Sequence, residues 1–317
     1  MPWWAILIIL AIFFPSIICP LLIGGASLLF LVLPILIGAI ILPLPIKDSG
    51  TVRYNSIPWV TATLIFVNVM LFFLWQGGDF FGQYFANSQF EAQQAYYGDF
   101  VRTWTYGFRT SFIIDGVGIG AWSTFTSIFM HASLEHLTGN MIYLWAFGRR
   151  VEDACGSLRF LLFYLIAGMV ANIASAFFIH PLFLPIPGYE NVAFDIPGIG
   201  ASGAIAGIMG AYLLLFPGAR VQSLWGLGIV ARGLIWLPIR LFGGEMGWKW
   251  TLGIPAWMLL IFFAVTNILP SLAVIQGESE LVGTNTIAHM AGFLAALLIF
   301  MFVRKDLLLR YIKGRRL

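Results

Sequence analysis

A serine in a run of small residues is the first position in this chain whose surroundings suit covalent chemistry. The stretch 198–210 reads GIGASGAIAGIMG and places Ser202 at the start of an apolar helix. The small neighbours Gly200 and Gly203 would let a carbonyl group approach the hydroxyl and leave backbone N–H groups to face an oxyanion. The same spacing of small residues is typical of close helix packing in membranes, with no chemistry implied. On this stretch alone both interpretations stay open.

Histidine and asparagine side chains in other apolar runs form a second group that suits chemistry. His136 and Asn140 are four residues apart and therefore share one helix face, and His131 precedes them. His289 lies in a later run that reads AHMAG. Polar residues inside a membrane are costly and mark a functional interior by default. Each histidine taken singly also fits a hydrogen-bonded core residue, and we expect His180, in a loop, to be inert.

A metal site is the other use that three histidines suggest. His131, His136 and His289 would offer three nitrogen ligands, but no Asp, Glu or Cys is placed as an additional ligand. Cys19 and Cys155 lie in an apolar run and in a basic loop, without the spacing of a disulfide framework or a metal site. The sequence therefore predicts neither a metal nor a cofactor.

Membrane-spanning helices are the elements that must position these residues. Of the 317 residues, 60% are hydrophobic and 10% charged, whereas soluble domains have roughly 25% charged residues. Several apolar runs of about 20 residues are long enough to cross a hydrocarbon core about 30 Å thick. The net charge is only +3, which gives no support for a nucleic-acid partner. The composition predicts an all-α polytopic protein whose surroundings are the lipid bilayer.

We expect a core of six spans, preceded by an N-terminal hydrophobic extension. Residues 1–46 are interpreted as a hairpin of two spans, with one tilted span as the alternative. A cleaved signal peptide would need a basic start, which is absent. The other predicted segments are a cytoplasmic linker over 47–58, the core over 59–305 and a basic tail over 306–317. Within the core, crossings are predicted at about 59–75, 123–147, 158–179, 201–216, 255–274 and 284–303, and an interfacial loop over 76–122.

The basic residues predict the orientation of these spans. If the linker is cytoplasmic, all 17 Lys and Arg residues except Arg102 and Arg109 fall on the inner side. The second, fourth and sixth core spans then all begin at the outer face. Their polar residues, Ser202 and His289 among them, would meet roughly 5 to 25 Å below the outer surface.

At this point the motifs resemble the rhomboid family of intramembrane serine proteases. The sequence GASG at 200–203 is similar to the family's G-x-S-G, and AHMAG at 288–292 is similar to A-H-x-x-G. The sequence HASLEHLTGN at 131–140 looks like the family's H-x-x-x-x-H-x-x-x-N. The likeness covers about residues 46–305 and implies a six-span rhomboid-like bundle.

The resemblance also implies a role for each matched residue. Ser202 would be the nucleophile and His289 the general base, while His136, Asn140 and the N–H of Ser202 would form the oxyanion hole. The residues implied as supporting the site are His131, Gly200, Gly203 and Gly292.

Some positions depart from the family pattern. Trp122 stands nine residues before His131, as the family's loop tryptophan does, but Ser123 replaces the arginine that often follows it. Ala206 occupies the place where some members stack an aromatic ring on the histidine. The segment 226–249 is longer than the family usually shows.

The activity implied by the resemblance is cleavage of transmembrane segments of membrane-protein substrates near their outer ends. The expected location is the cytoplasmic membrane of a bacterium, with the active site facing outside. Because no carboxylate lies near His289, a serine–histidine pair predicts slow turnover. A catalytically weak or inactive rhomboid-like binder of transmembrane clients is the alternative. A transporter should show repeated halves, and no convincing internal repeat is found.

Overall fold

The structure is a computed structural model that describes residues 44–48, 57–76, 88–178, 182–183, 193–194, 197–244, 251–275 and 286–303. Over these ranges the chain is mostly helical, in agreement with the predicted helical membrane-protein class. Residues 1–43, which make up most of the predicted extension, lie outside the described residues. So do His180 and the predicted basic tail.

The helices and strands are numbered along the described part of the chain. The helices are α1 (Trp59–Leu71), α2 (Gln89–Tyr106), α3 (Thr110–Ile114), α4 (Ser123–Thr126), α5 (Leu134–Tyr143), α6 (Arg149–Cys155), α7 (Ser157–Phe178), α8 (Ser202–Leu215), α9 (Gly226–Leu241), α10 (Ala256–Ile275) and α11 (Thr286–Val303). Short 3₁₀ turns cover Gly120–Trp122 and Ser127–Phe129, and π turns cover Phe72–Gln76 and Leu144–Gly148. The strands are β1 (Leu44–Asp48), β2 (Leu182–Phe183), β3 (Ala193–Phe194), β4 (Arg220–Leu224) and β5 (Leu252–Pro255).

Five of the predicted crossings coincide with single apolar helical segments. Trp59–Gln76 and Ser157–Phe177 are long and apolar enough to cross a membrane, and no more than two charged residues interrupt either of them. Ser202–Leu215, Ala256–Leu269 and Thr286–Ile299 are shorter apolar helices. The sequence therefore located these helices to within a few residues.

The predicted crossing over 123–147 is not one continuous helix. It begins with α4 and a 3₁₀ turn, breaks over 130–133, and resumes as α5. The side-chain amide of Gln76 satisfies the backbone in the break: Nε2 donates to the carbonyl oxygen of His131 at 2.7 Å, and the N–H of His131 donates to Oε1 at 2.9 Å. A helix break inside an apolar layer is tolerated when such a partner replaces the lost backbone bonds.

A small antiparallel sheet adds to the predicted all-α architecture. Its strand order is β1-β4-β5, and β1 pairs Leu44 with Leu224 and Asp48 with Val221. The predicted boundary between extension and linker at residue 46 therefore falls inside a strand that is bonded to the core. The sequence did not indicate a strand here, because LPIKD lacks the apolar–polar alternation of a half-buried strand and contains a proline.

The segment 76–122, predicted as an interfacial loop, contains the 18-residue helix α2 and the short helix α3. Arg109 lies between them, with its guanidinium 5.3 Å from the ring centroid of Trp104 and 4.5 Å from that of Phe112. Phe108 forms a two-bond bridge with Gly198, at 2.8 and 2.7 Å. This segment is therefore hydrogen-bonded to the residues just before α8, at Gly198.

A buried carboxylate caps the N-terminus of α1. Pro58 provides no side-chain cap there. Instead Glu152, from α6, accepts from the N–H groups of Val60 and Thr61 at 2.9 and 2.8 Å and from the Thr61 hydroxyl at 2.7 Å. Ser157 at the start of α7 also donates to it, at 2.7 Å. Since a negative charge is favourable at a helix N-terminus, one residue here joins three helices.

The centre of the core is the packing of α8 against α7 and α11. A Cβ at Gly203 would lie 2.7 Å from Cβ of Ala171 on α7, and a Cβ at Gly207 would lie 2.7 Å from Cβ of Ala167. A Cβ at Gly210 would lie 2.6 Å from the carbonyl oxygen of Phe293 on α11. The small-residue spacing in α8 therefore does serve close helix packing, as one of the two interpretations of that stretch predicted.

Candidate active site

Ser202 is the first residue of α8, at a turn that requires glycine. Gly200 has a positive φ of 127° and donates its N–H to the carbonyl oxygen of Ser127 at 2.9 Å. Ala201 is fully buried and serves as the N-cap residue, without a side-chain hydrogen bond. Because Ser202 belongs to the first helical turn, its N–H has no acceptor within the helix. The geometry presents a half-buried hydroxyl and an adjacent backbone donor at one helix end.

His289 lies in the first turn of α11, a helix that packs closely against the start of α8 next to Ser202. A Cβ on Gly203 would sit 3.8 Å from the carbonyl oxygen of Ala288, and a Cβ on Gly292 would overlap the carbonyl oxygen of Gly203. Further along α8, a Cβ on Gly207 would approach Gly292, and a Cβ on Gly210 would approach Ala296. The two helices therefore run parallel and begin at the same end of the bundle, with the serine and the histidine in their first turns.

His136 and Asn140 lie on α5 and face the glycine turn from the other side. A Cβ on Gly200 would lie 2.7 Å from Cε1 and 2.8 Å from Nε2 of His136, and 3.6 Å from Nδ2 of Asn140. Ser133 caps α5 by accepting from the backbone N–H of His136 at 3.2 Å. The predicted oxyanion donors are therefore next to the residue that precedes Ala201 and Ser202.

The hydrogen bonds of His136 and Asn140 leave one N–H donor on each side chain available next to the Gly200 turn. The N–H of Ala132 donates to Nδ1 of His136 at 3.5 Å, so the tautomer consistent with this contact carries its proton on Nε2. Nδ2 of Asn140 is buried and has no hydrogen-bond partner. A buried amide donor without an acceptor is costly, and is a group that a developing oxyanion would satisfy.

His131 supports this arrangement from behind. Its ring is 1% exposed and packs edge-to-face on His136, with 5.2 Å between ring centroids. Gln76 holds its backbone, as described for the break before α5. Among the described residues there is no group of three or more His, Cys, Asp or Glu side chains that could hold a metal ion.

Asn267 is a site residue that the sequence analysis missed. It lies on α10, is 7% exposed, and its Oδ1 is 2.9 Å from Nδ1 of His289. The ring of Phe263, one turn earlier, lies 6.0 Å from the His289 ring at an interplanar angle of 35°. The sequence offers no carboxylate near His289, and the neutral amide of Asn267 takes that place. An amide inside the apolar run 255–274 was a signal, because intramembrane polar residues mark functional interiors.

The positions that depart from the rhomboid pattern are accommodated locally. Ser123 is buried and donates its hydroxyl to the carbonyl oxygen of Gly120 at 2.8 Å. Trp122 is 72% exposed and makes an edge-to-face contact with Phe125. Ala206 is fully buried in α8 and has no aromatic ring. The aromatic ring that lies near the His289 ring is that of Phe263, on α10.

Comparison with known proteins gives the family. The chain matches the Rhomboid domain model over residues 120–306, which is more than half of its length. It is 38% identical over 107 residues to the rhomboid protease GluP of Bacillus subtilis, covering 34% of this chain and 18% of that protein. It is 30% identical over 95 residues to rhomboid protein 1, mitochondrial, of Saccharomyces cerevisiae, covering 30% and 25%.

A human relative has similar coverage: the presenilin-associated rhomboid-like protein, mitochondrial, is 32% identical over 99 residues, covering 31% of this chain and 24% of that protein. The alignments thus span about a quarter or less of the length of these relatives. They include bacterial and mitochondrial proteins. The domain match contains all of the motifs at residues 131–140, 200–203 and 288–292. The chain belongs to the rhomboid family.

Proposed function

We propose that this protein is an intramembrane serine endopeptidase that cleaves transmembrane segments of membrane-protein substrates near their outer ends. The observation that supports the proposal is the close backbone approach of Gly203 and Gly292 between two parallel helices, whose first turns contain Ser202 and His289. A serine hydroxyl is a weak nucleophile until a neighbouring base takes its proton. The buried histidine is the base that the fold offers.

The reaction has two halves. In the first, Oγ of Ser202 attacks the substrate carbonyl carbon while Nε2 of His289 accepts the hydroxyl proton. The imidazolium then gives that proton to the leaving amine, the C–N bond breaks, and an acyl-enzyme remains. In the second half, water attacks the ester, its proton passes through His289 to Oγ, and the carboxylic acid product leaves.

Three donors support the tetrahedral oxyanion in this proposal. They are Nε2–H of His136, Nδ2 of Asn140 and the N–H of Ser202, which surround the Gly200 turn. Each donor aimed at the developing charge lowers the barrier by about 2 to 4 kcal/mol. The peptide carbonyls of a substrate helix are hydrogen-bonded, so the segment must unwind locally to present one.

The surroundings of the site belong to the same proposal. We place the core as six spans over 59–305, with the N-terminal hydrophobic extension, the linker over 47–58 and the tail over 306–317 as additions. The basic residues support a cytoplasmic inner side and an active site that opens to the outside. The location that fits is the cytoplasmic membrane of a bacterium, and the partners are transmembrane substrates and the bilayer.

A rhomboid-like binder of transmembrane clients would use the same groove without chemistry. It would have no need of an unpartnered Nδ2 on Asn140 next to the Ser202 turn, and this observation favours the protease. A transporter would use the intramembrane histidines and asparagines as a pathway, and it should show paired halves.

The deciding experiment compares the wild type with Ser202→Ala, His289→Ala and the matched control Ser175→Ala. Ser175 is a buried serine on α7, and its hydroxyl donates to the carbonyl oxygen of Asn172. Each protein is tested for cleavage of a model transmembrane substrate and for labelling by a fluorophosphonate. We expect the first two variants to lose cleavage while they remain folded in detergent, and Ser175→Ala to keep it. Cleavage by Ser202→Ala, or labelling that survives in it, would remove the protease proposal.

A further inference from the structure

Asn267 contacts the ring nitrogen of His289 that does not serve as the base. Its Oδ1 is 2.9 Å from Nδ1, across 22 residues of sequence and from a different helix. Asn267 and His289 are 7% and 9% exposed. A buried hydrogen bond of this kind is not weakened by competing water, so it can fix the orientation of the ring.

The direction of this hydrogen bond follows from the other bonds of the amide. Nδ2 of Asn267 donates to the carbonyl oxygen of Phe263 at 2.8 Å. Turning the amide over would set Oδ1 against that carbonyl oxygen, and two acceptors repel each other. Oδ1 therefore faces His289, and the contact at 2.9 Å is a hydrogen bond only if Nδ1 carries the proton.

A proton on Nδ1 leaves the lone pair on Nε2. In a neutral imidazole one nitrogen donates and the other accepts, so the bond to Asn267 selects the tautomer that can take a proton from a serine hydroxyl. The same turn of α10 also supplies the ring of Phe263, 6.0 Å from the imidazole. By contrast, Ala206 on α8 has no ring to offer.

We propose that Asn267 is a positioning residue for His289, making the site a serine–histidine–asparagine arrangement rather than a serine–histidine pair. The inference rests on the proposed protease function. The amide orients the imidazole and holds its tautomer, as the asparagine does in cysteine–histidine–asparagine proteases. Because it is neutral, it contributes less to the imidazolium form than a carboxylate would, and turnover stays slow.

The neighbourhood of α10 provides a matched control. The hydroxyl of Ser271, one turn after Asn267, donates to the backbone carbonyl oxygen of Asn267 at 2.7 Å and is also buried. Ser271→Ala therefore removes a hydrogen bond from the same helix without touching the His289 ring. His136 on α5 is a further titratable group near His289, whereas α7 and α8 present Ala171 and Gly203 near its turn. All of these stay unchanged in the test.

The experiment measures kcat, KM, the pH–rate profile and the melting temperature for Asn267→Ala, Asn267→Asp and Ser271→Ala. We expect Asn267→Ala to lower kcat about ten- to a hundredfold with little change in KM, because the imidazole then spends less time in the tautomer and orientation that can act as the base. Asn267→Asp accepts the same hydrogen bond and should recover kcat. Its negative charge holds the imidazolium form, so the acidic limb of the profile should move to higher pH. Ser271→Ala should match the wild type in kcat and profile.

Each outcome separates this inference from the proposed function. A folded Asn267→Ala protein with wild-type kcat, in a series where Ser202→Ala and His289→Ala are inactive, would overturn the role of Asn267 alone. If Asn267→Ala does not fold, Asn267→Asp still decides. An acidic limb in Asn267→Asp that coincides with the wild-type limb would show that the side chain does not act on His289. Activity in Ser202→Ala would instead reject the protease proposal.

Discussion

Gly203 and Gly292 touch backbone to backbone: a methyl group added to Gly292 would overlap the carbonyl oxygen of Gly203. Neither side of this contact is a flexible side chain that can move aside. These two residues therefore limit how closely α8 and α11 approach at this point, and each is close in sequence to a proposed catalytic residue. The spacing of small residues in α8 serves packing, and the proposed chemistry would use the same residues, so the two interpretations of that stretch are not exclusive.

The Gly292 contact gives a direct prediction. Gly292→Ala must push α11 away from α8, and we expect it to destabilise the protein by about 1 to 3 kcal/mol and to lower the cleavage rate. The matched control is Gly139→Ala on α5, where a Cβ would meet nothing within 4 Å and helix propensity favours alanine by up to about 1 kcal/mol. Melting temperature and turnover are measured on both variants. Equal melting temperatures in the two would contradict the close approach.

The oxyanion donors are tested by separating rate from stability. Asn140→Ala should lower kcat about ten- to a thousandfold with little effect on substrate affinity, because a donor aimed at developing charge acts mainly in the transition state. His136→Ala should behave similarly. If both residues only join helices, the loss of about 0.6 to 2 kcal/mol would appear as earlier melting at an unchanged rate. Turnover and thermal melting of the same preparations distinguish the two results.

Orientation is tested with two exposed positions on opposite sides. In a protein whose Cys19 and Cys155 are replaced, Ser88→Cys should react with an impermeant maleimide on intact cells. Gly218→Cys, in the turn after α8 where an added Cβ has open space, should react only after permeabilisation. The bias of basic residues towards one side motivates this expectation. The reverse pattern would place the Ser202 end of α8 on the cytoplasmic side and would contradict the proposed topology.

Much of the helical fold was predictable because apolar run length determines it. The run 158–179 appears as α7, and the runs 201–216 and 255–274 appear as α8 and α10. The break before α5 was not predictable, since it depends on Gln76, 55 residues away in sequence from His131. Apolar periodicity carries no information about such a distant amide.

The candidate site shows the same division. Ser202, His289, His136 and Asn140 were predicted from local motifs. In the structure His136 and Asn140 lie next to the Gly200 turn, and the residue before His289 lies near Gly203. Asn267 was missed because its meaning depends on which face of α10 meets α11. That face is decided by packing between helices, and the mostly apolar run around Asn267 does not indicate it.

The small sheet also bears on where a shortened chain can begin. β1 covers the edge of β4, and β4 and β5 lead from α8 into α10, the helix that carries Asn267. A truncation starting at residue 44 keeps this edge covered. One starting at residue 57, just before α1, leaves the hydrogen-bonding groups of β4 open, and an open strand edge pairs readily with another molecule. A shortened chain is therefore expected to need β1, which lies before α1 and which hydropathy alone assigned to the N-terminal extension.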